Sequence, residues 1–297
     1  VLNLGLIAKS AKAYAVTGEA YEYIIKNSQN KPLTIEANRQ LLELDLVRHT
    51  SLDLKQIQVQ YKNLFERYGM NSETLKLQLS YADFLALYYK KKTEAISFLK
   101  DALKTQLSKI DLGQLKLKLA DILVTDQKFN QALLYYAQVQ TTLKNSTLAQ
   151  EARFKSARTS YFKGDFDWAE AQLQVLKSST SQLIANDALD LKLMISDHKF
   201  GDSLQAPLRL YAKADFLALQ HNKTEAIAVL DSLISRHNTH AIIDQALLFQ
   251  AKLFEQTQNP QKTKETYLKI IAAFSAEILI DDAHFALAEL FRLVFNQ

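Results

Sequence analysis

Residues 164–176, GDFDWAEAQLQVL, combine a turn with the start of a helix and contain the only Trp of the chain. Gly164 supplies the freedom of φ that a tight turn requires. Ala169 is followed by Leu173 four positions later and by Leu176 three positions after that, the apolar spacing of one helix face. The pattern predicts a helix that crosses a neighbouring helix closely at Ala169.

Three acids surround Trp168, and they admit either a catalytic or metal-binding role or a structural one. Asp165 and Asp167 fall at the predicted N-terminus of the helix, where the helix dipole favours negative charge. Phe166 is predicted to fill the corner between two helices, and Trp168 lies on a side that can meet the next repeat. We therefore interpret this stretch, Glu170 included, as part of the fold.

The same arrangement recurs along the chain. Ala157 precedes Ala169 by twelve positions, and further pairs with this spacing are Ala120–Ala132, Ala214–Ala226, Ala251–Thr263 and Ala8–Ala20. Ala82 and Ala95 are thirteen apart, which predicts one extra turn residue. The second-helix positions 95, 132 and 169 are 37 apart, as are 226 and 263. This regularity indicates repeated helical hairpins.

The hairpins resemble tetratricopeptide repeats, whose usual period of about 34 residues is roughly three shorter. SYFKGDFDWAEAQLQVLKSSTSQLIANDALDLKLMISD, LKLKLADILVTDQKFNQALLYY and IDDAHFALAELF are also similar to large tetratricopeptide proteins from the cell envelope of Bacteroidota. The resemblance covers most of residues 70–297 and implies an exported scaffold in secretion or outer-membrane assembly. It also implies a longer natural protein, as does a start without Met on a helical pattern. It supplies no catalytic residue.

We predict an all-α fold, an α-solenoid of hairpins with a period of about 37 residues that winds as a right-handed superhelix over residues 1–297. The clearer repeats are 74–106, 112–144, 149–180, 204–236 and 241–274. The 57 residues from 169 to 226 exceed 37 by 20 and predict an additional helix near 183–198. Residues 31–69 predict a degenerate repeat. Residues 281–295 predict an unpaired helix.

Composition and motifs narrow the function classes. A net charge of +4, from 36 basic and 32 acidic residues mixed along the chain, argues against nucleic-acid binding. The absence of Cys excludes disulfides and Cys-based metal sites but leaves the compartment open. No apolar run approaches the roughly 18 residues of a membrane span. Phosphate loops, HExxH and nucleophile elbows are missing, and His237 and His240 fall in a predicted solvated loop. We expect no enzyme activity, metal or cofactor.

A stack of hairpins presents a concave surface lined by the first helix of each pair. The residues predicted to contact a partner there are Asp121, Phe154, Arg158, Tyr161, Tyr211, Asp215, Lys252 and Glu289. Their mixed signs argue against the Lys and Asn clamp with which some tetratricopeptide proteins hold C-terminal carboxylates, and suit a protein surface better than a polyanion. The aromatic members can instead pack between repeats.

The sequence therefore favours a non-catalytic protein–protein interaction scaffold in a cell-envelope complex, periplasmic or associated with the outer membrane. Its partners are expected to be one or more proteins of a larger assembly, with peripheral association with a membrane complex as an option. Two alternatives stay open. One is a module that recognises a peptide or a peptidoglycan-like glycan in the concave groove, and the other is a cytoplasmic regulator.

Overall fold

The computed structural model describes residues 1–48, 53–179, 181–200, 204–274 and 279–295, without the side chains of Ser178 and Phe295. These described residues form sixteen α-helices joined by short connections, and no strand occurs among them. The predicted all-α fold of helical hairpins is thereby confirmed. The chain divides into two compact units, unit 1 over Val1–Ala152 and unit 2 over Arg153–Gln297.

Unit 1 consists of successive antiparallel helices. They are α1 (Leu2–Ser10), α2 (Tyr14–Asn27), α3 (Lys31–Arg48), α4 (Leu54–Tyr68), α5 (Leu75–Asp83), α6 (Lys92–Ala102), α7 (Lys109–Thr125), α8 (Phe129–Thr142) and the first residues of α9 (Thr147–Lys163). Helices α3 and α4 occupy the predicted degenerate repeat, and the link at 49–52 lies outside the described residues. Helix α3 packs mainly against α2 and less against α4, unlike the two helices of a regular hairpin.

Unit 2 contains the rest of α9 and seven further helices. They are α10 (Phe166–Val175), α11 (Gln182–His198), α12 (Ala206–Leu219), α13 (Lys223–Arg236), α14 (Ile243–Gln256), α15 (Pro260–Ala273) and α16 (Ile280–Leu290), which continues as a π-helical turn over Phe291–Phe295. Helix α11 is the predicted additional helix. Pro260 opens α15, and the side chain of Asn259 caps it by accepting from the Lys262 N–H at 3.3 Å.

A turn of two or three residues, one of them in the left-handed region, joins the two helices of each regular hairpin. The left-handed residues are Lys12, Lys90, Gln127, Gly164, His221 and Gln258, with φ between 55° and 81°. The following N–H donates back to the first helix, as from Asp165 to the Ser160 carbonyl at 2.9 Å. This bond is typical of a helix C-terminal motif, and it fixes where the first helix ends.

Small residues lie where the helices of each hairpin cross, as predicted. Residues with 0% exposure at these positions include Ala95, Ala120, Ala132, Ala157, Ala169, Ala214, Ala226, Ala251 and Thr263. Large apolar residues follow them into the core, with Tyr136, Leu173, Leu230 and Tyr267 at most 2% exposed. Close packing of the two helices therefore selects the residue size at each crossing.

The first hairpin contains a second pair of small residues with the predicted spacing. Gly5 and Thr17 are twelve positions apart and each lies three positions before Ala8 and Ala20, which are buried. Thr17 and Tyr21 are fully buried, and a Cβ added at Gly5 would lie 2.4 Å from the Tyr21 ring. Gly5–Thr17 and Ala8–Ala20 are therefore both small-residue pairs at which α1 and α2 can cross. Both pairs have the same spacing, so spacing could not distinguish them.

The thirteen-residue interval between Ala82 and Ala95 is not caused by the extra turn residue that the sequence predicted. The turn after the first helix has the usual three residues, so no residue is added there. The extra residue lies inside the helix, where α5 continues as a π-helical turn over Phe84–Tyr88. The N–H of Tyr89 donates to the carbonyl of Phe84 at 2.9 Å, the i to i+5 bond of this geometry.

Candidate functional site

Two of the acids beside Trp168 hold helix α11 against α10. The Nζ atom of Lys199, at the end of α11, lies 2.9 Å from Asp167 Oδ1 and 2.6 Å from Glu170 Oε2. The third acid, Asp165, pairs with Lys163 at 3.0 Å. These pairs support the structural interpretation of the stretch, because each acid has a packing partner.

Helix α11 has two faces with different roles. Ala188 and Ile195 are buried in the core of unit 2. On another face, Asp187 and Asp190 are exposed, and neither carboxylate has an ion pair among the described residues. The fold therefore uses one face of α11 for packing and leaves two carboxylates free on the other.

A pocket of about 410 Å³ lies between this second face of α11 and the helices α9, α12 and α14. Its lining comprises Phe154, Arg158, Tyr161, Asp187, Asp190, Leu191, Met194, Tyr211, Asp215 and Phe249. Five of the eight residues predicted to contact a partner meet here: Phe154, Arg158, Tyr161, Tyr211 and Asp215. The three helices α9, α12 and α14 are the first helices of consecutive hairpins, as the prediction assumed.

An ion pair connects two of these helices across the pocket. Arg158 Nη2 lies 3.1 Å from Asp215 Oδ1, and the guanidinium also stands 5.2 Å from the centroid of the Phe162 ring. Burial raises the pKa of Asp215, although the Arg158 guanidinium acts in the opposite direction. Arg158 thus has its charge balanced within the protein.

Tyr161 forms part of the pocket wall from a buried position. Its side chain is 0% exposed, and its hydroxyl has no hydrogen-bond partner among the described residues. Burial, reinforced by Asp215 and Tyr211, raises its pKa, with Arg158 opposing. The ring packs between helices, as the sequence analysis allowed instead of an exposed aromatic anchor, and the hydroxyl is buried without a hydrogen-bond partner in the described part of the chain. A buried hydroxyl without a partner costs free energy, so this group is not explained by packing.

A second pocket, of about 880 Å³, adjoins the first and shares Asp190 and Met194 with it. Lys252, another predicted contact residue, lines this pocket. We call the two pockets together the acidic groove. Its described charged side chains are Asp187, Asp190, Asp197, Asp215, Asp244, Asp282, Arg158 and Lys252. These six carboxylates and two bases give the described lining a formal charge of −4, although the whole chain carries +4.

Two histidines also line the second pocket. The ring centroids of His198 and His240 are 6.1 Å apart. His198 is buried, and its Nδ1 has no partner in the described part of the chain. His240 lies in the predicted connection between α13 and α14, but its ring is half-buried and its Nδ1 accepts from the Ile242 N–H at 3.2 Å. Among the described residues, no three His, Cys, Asp or Glu side chains are grouped to hold a metal ion.

The remaining two predicted contact residues lie elsewhere. Asp121 belongs to unit 1 and accepts a hydrogen bond from the Tyr136 hydroxyl at 2.7 Å. Glu289, on α16, pairs with Arg292 at 2.7 Å. Neither lines the acidic groove.

The sequence analysis missed the contribution of α11 to the site. Asp187, Asp190, Met194 and Asp197 recur at intervals of three or four positions, which places them on one helix face. Three acids and one Met share that face, a signal that the sequence itself carries. Phe249 had no comparable signal.

The described ranges contain no helix long and apolar enough to span a bilayer. No family model and no curated protein matches the chain.

Several solved structures are similar to this chain. A tetratricopeptide repeat protein from Parabacteroides merdae is 10% identical, with 98% of this chain and 97% of that chain covered and a TM-score of 0.46. The C-terminal part of a repeat protein of the same kind from Cytophaga hutchinsonii is 13% identical, with 95% and 99% covered and a TM-score of 0.43. A Rap protein complexed with competence and sporulation factor is 15% identical, with 96% and 74% covered and a TM-score of 0.49. At such identities no binding residue is assigned by similarity. The hairpins described above fit the tetratricopeptide repeat.

Proposed function

We propose that this chain is a non-catalytic interaction scaffold whose unit 2 binds a segment of a partner protein in the acidic groove. The observation that carries the proposal is one pocket that combines the free carboxylates of Asp187 and Asp190 with the unpaired hydroxyl of Tyr161. The first helices of stacked hairpins commonly provide binding surfaces of this kind. None of these three groups is needed to hold the helices together.

The charge of the groove selects the class of partner. A formal charge of −4 repels the phosphates of a nucleic acid, whose binding requires Lys and Arg along the surface. A protein segment can instead place basic and apolar groups where the groove has carboxylates and aromatic rings.

We further propose that the scaffold works in a cell-envelope complex, in the periplasm or at the outer membrane. The support is the resemblance that most of residues 70–297 bears to large envelope tetratricopeptide proteins of Bacteroidota. The experiment must distinguish this location from that of a cytoplasmic regulator.

Site-specific photocrosslinking tests both parts of the proposal. A photoreactive amino acid replaces half-buried Leu191 in the pocket or, as a matched control, exposed Ala228 on α13. The full-length protein is produced in its native cells, illuminated and recovered from separated cytoplasmic and envelope fractions. We expect a discrete protein adduct from position 191, absent at position 228, in the envelope fraction.

Other results have distinct meanings. The same adducts at both positions, or none at position 191, would reject the groove as the interaction surface. An adduct specific for position 191 in the cytoplasmic fraction would keep the interaction and reject the envelope location.

A further inference from the structure

We infer that the pocket between α9, α11, α12 and α14 receives a cationic side chain, Arg or Lys, from an extended segment of the partner protein. This inference rests on the proposed function and deepens it, because it assigns a charge and a side-chain class to the docking segment. Three properties of the pocket carry it: unbalanced carboxylates, aromatic walls and an unpaired buried hydroxyl.

Among the described residues that line the pocket, the carboxylates outnumber the single base, Arg158. Asp215 already balances Arg158 at 3.1 Å. Asp187 and Asp190 stand one helical turn apart at the rim, and no described cation pairs with either. An incoming guanidinium or ammonium group would therefore meet two carboxylates that need no rearrangement to accept it.

The walls of the pocket suit a cation with a long apolar stem. Tyr211 and Phe249 lie with ring centroids 5.7 Å apart, and Phe154 completes the aromatic lining. Aromatic faces attract Arg and Lys side chains through their quadrupoles. Leu191 and Met194 offer apolar contact to the methylene stem, which such side chains bury while the charged end reaches polar groups.

The Tyr161 hydroxyl gives the pocket a specific acceptor. It is buried in the wall and has no partner among the described residues. Once the side chains that cover it move aside, its oxygen can accept an N–H from a guanidinium or ammonium group, which would satisfy both sides. An acidic side chain would gain this one hydrogen bond but would face Asp187 and Asp190 as like charges, so the pocket discriminates by repulsion as well as attraction.

A random dodecamer peptide library displayed on phage tests the inference and does not require the partner to be identified. Peptides are selected from the library in parallel for binding to the full wild-type chain and to a double variant, Asp187→Asn with Asp190→Asn. Both side chains are exposed and unpaired in the described structure, so the variant should keep the wild-type melting temperature. We expect wild-type selections to enrich Arg or Lys at one fixed position and the double variant to lose that preference.

The dissociation constant of a selected peptide then measures how much the cationic side chain contributes to binding. Replacing its enriched Arg or Lys by Gln should weaken binding to wild type roughly tenfold or more, because a charge-assisted contact is lost. The same replacement should change binding to the double variant much less. Tyr161→Phe should also weaken the basic peptide, whereas Tyr21→Phe, which removes another unpaired buried hydroxyl in unit 1, should leave its affinity unchanged.

Three outcomes would overturn the inference: enriched peptides that are acidic or neutral, equal enrichment by the double variant, or no enrichment. If the crosslink at position 191 still forms, the partner is bound without a cationic anchor and the proposed function stands. If that crosslink is also absent, the proposed function fails with it.

Discussion

Helix α11 and the hairpin α12–α13 lie in the same unit, but packing accounts for them to different degrees. In the hairpin, Ala226 and Leu230 have 0% exposure at the positions that the repeat spacing assigns to the core. Helix α11 buries Ala188 and Ile195 but leaves Leu189 47% exposed. The hairpin is therefore specified by its internal packing. Helix α11, in contrast, exposes side chains that its packing does not explain.

The difference indicates where function is added to a repeat fold. A regular hairpin must keep small and large residues at fixed positions, which leaves few of its buried positions for ligand contacts. The additional helix packs against α10 but belongs to no regular hairpin, so the repeat spacing does not constrain its second face. That face contributes Asp187, Asp190 and Met194 to the acidic groove.

The largest expected effect is the loss of stability when a buried side chain of the hairpin is shortened. Leu230→Ala in α13 should lower the free energy of unfolding by about 2–5 kcal/mol, because it leaves a cavity at a fully buried site. Leu189→Ala on the exposed side of α11 should change it by less than about 0.5 kcal/mol. Urea denaturation followed by circular dichroism measures both, and equal losses would contradict the contrast between the two regions.

A smaller effect concerns the residue size at a helix crossing. Ala226→Leu should cost about 1–3 kcal/mol, since the first helix of the hairpin leaves no room for a longer side chain. Ala228→Leu, at an exposed position of the same helix, provides the matched control. Thermal unfolding of the two variants should give clearly separated midpoints. If the midpoints coincide, the crossing is looser than the structure indicates.

The sequence could predict the hairpins because each crossing imposes a local rule on residue size. The same rule left two ambiguities. Ala8–Ala20 and Gly5–Thr17 obey it equally, and a π-helical turn at Phe84–Tyr88 lengthens an interval just as an extra turn residue would.

The site was less predictable because it depends on contacts between distant segments. Arg158 and Asp215 are 57 positions apart, and nothing in their local sequence indicates that they pair. The presence of α11 was predicted from apolar spacing. Its contribution to the groove depends on which of its faces meets α9, α12 and α14, and this orientation is set by tertiary packing.

Two buried tyrosine hydroxyls, one in the pocket and one on α15, should respond in opposite ways to removal. Tyr161→Phe should raise the free energy of unfolding by about 1 kcal/mol, because it removes a buried hydroxyl that lacks a partner. Tyr267→Phe should instead lower it by about 0.5–1.5 kcal/mol, since the Tyr267 hydroxyl donates to Glu255 Oε1 at 2.9 Å. Chemical denaturation of the two variants decides the matter. Two changes of the same sign would show that the Tyr161 hydroxyl has a partner in solution.

The smallest expected effect is a dependence of stability on pH at the other end of α11. Burial and the neighbouring His240 lower the pKa of His198 from its ordinary value of 6.5, with Asp197 acting in the opposite direction. The unfolded chain therefore binds a proton at His198 as the pH falls through 6.5, whereas the folded chain does so only at lower pH. The stability contributed by neutral His198 is complete above 6.5 and is lost as the pH falls from there to the folded-state pKa.

His198→Gln should remove this part of the pH dependence, so the variant should lose less stability than wild type between about pH 7.5 and about pH 5. His284→Gln, at an exposed position of α16, controls for the loss of one imidazole. For each protein, the quantity compared is the change in the free energy of unfolding between the two pH values. A change is used because other groups titrate in wild type and in both variants. Equal pH dependence in wild type and His198→Gln would mean that His198 is open to solvent. In that case this end of α11 would not be packed against His240 as the structure has it, and His198 would not be a buried part of the wall of the second pocket.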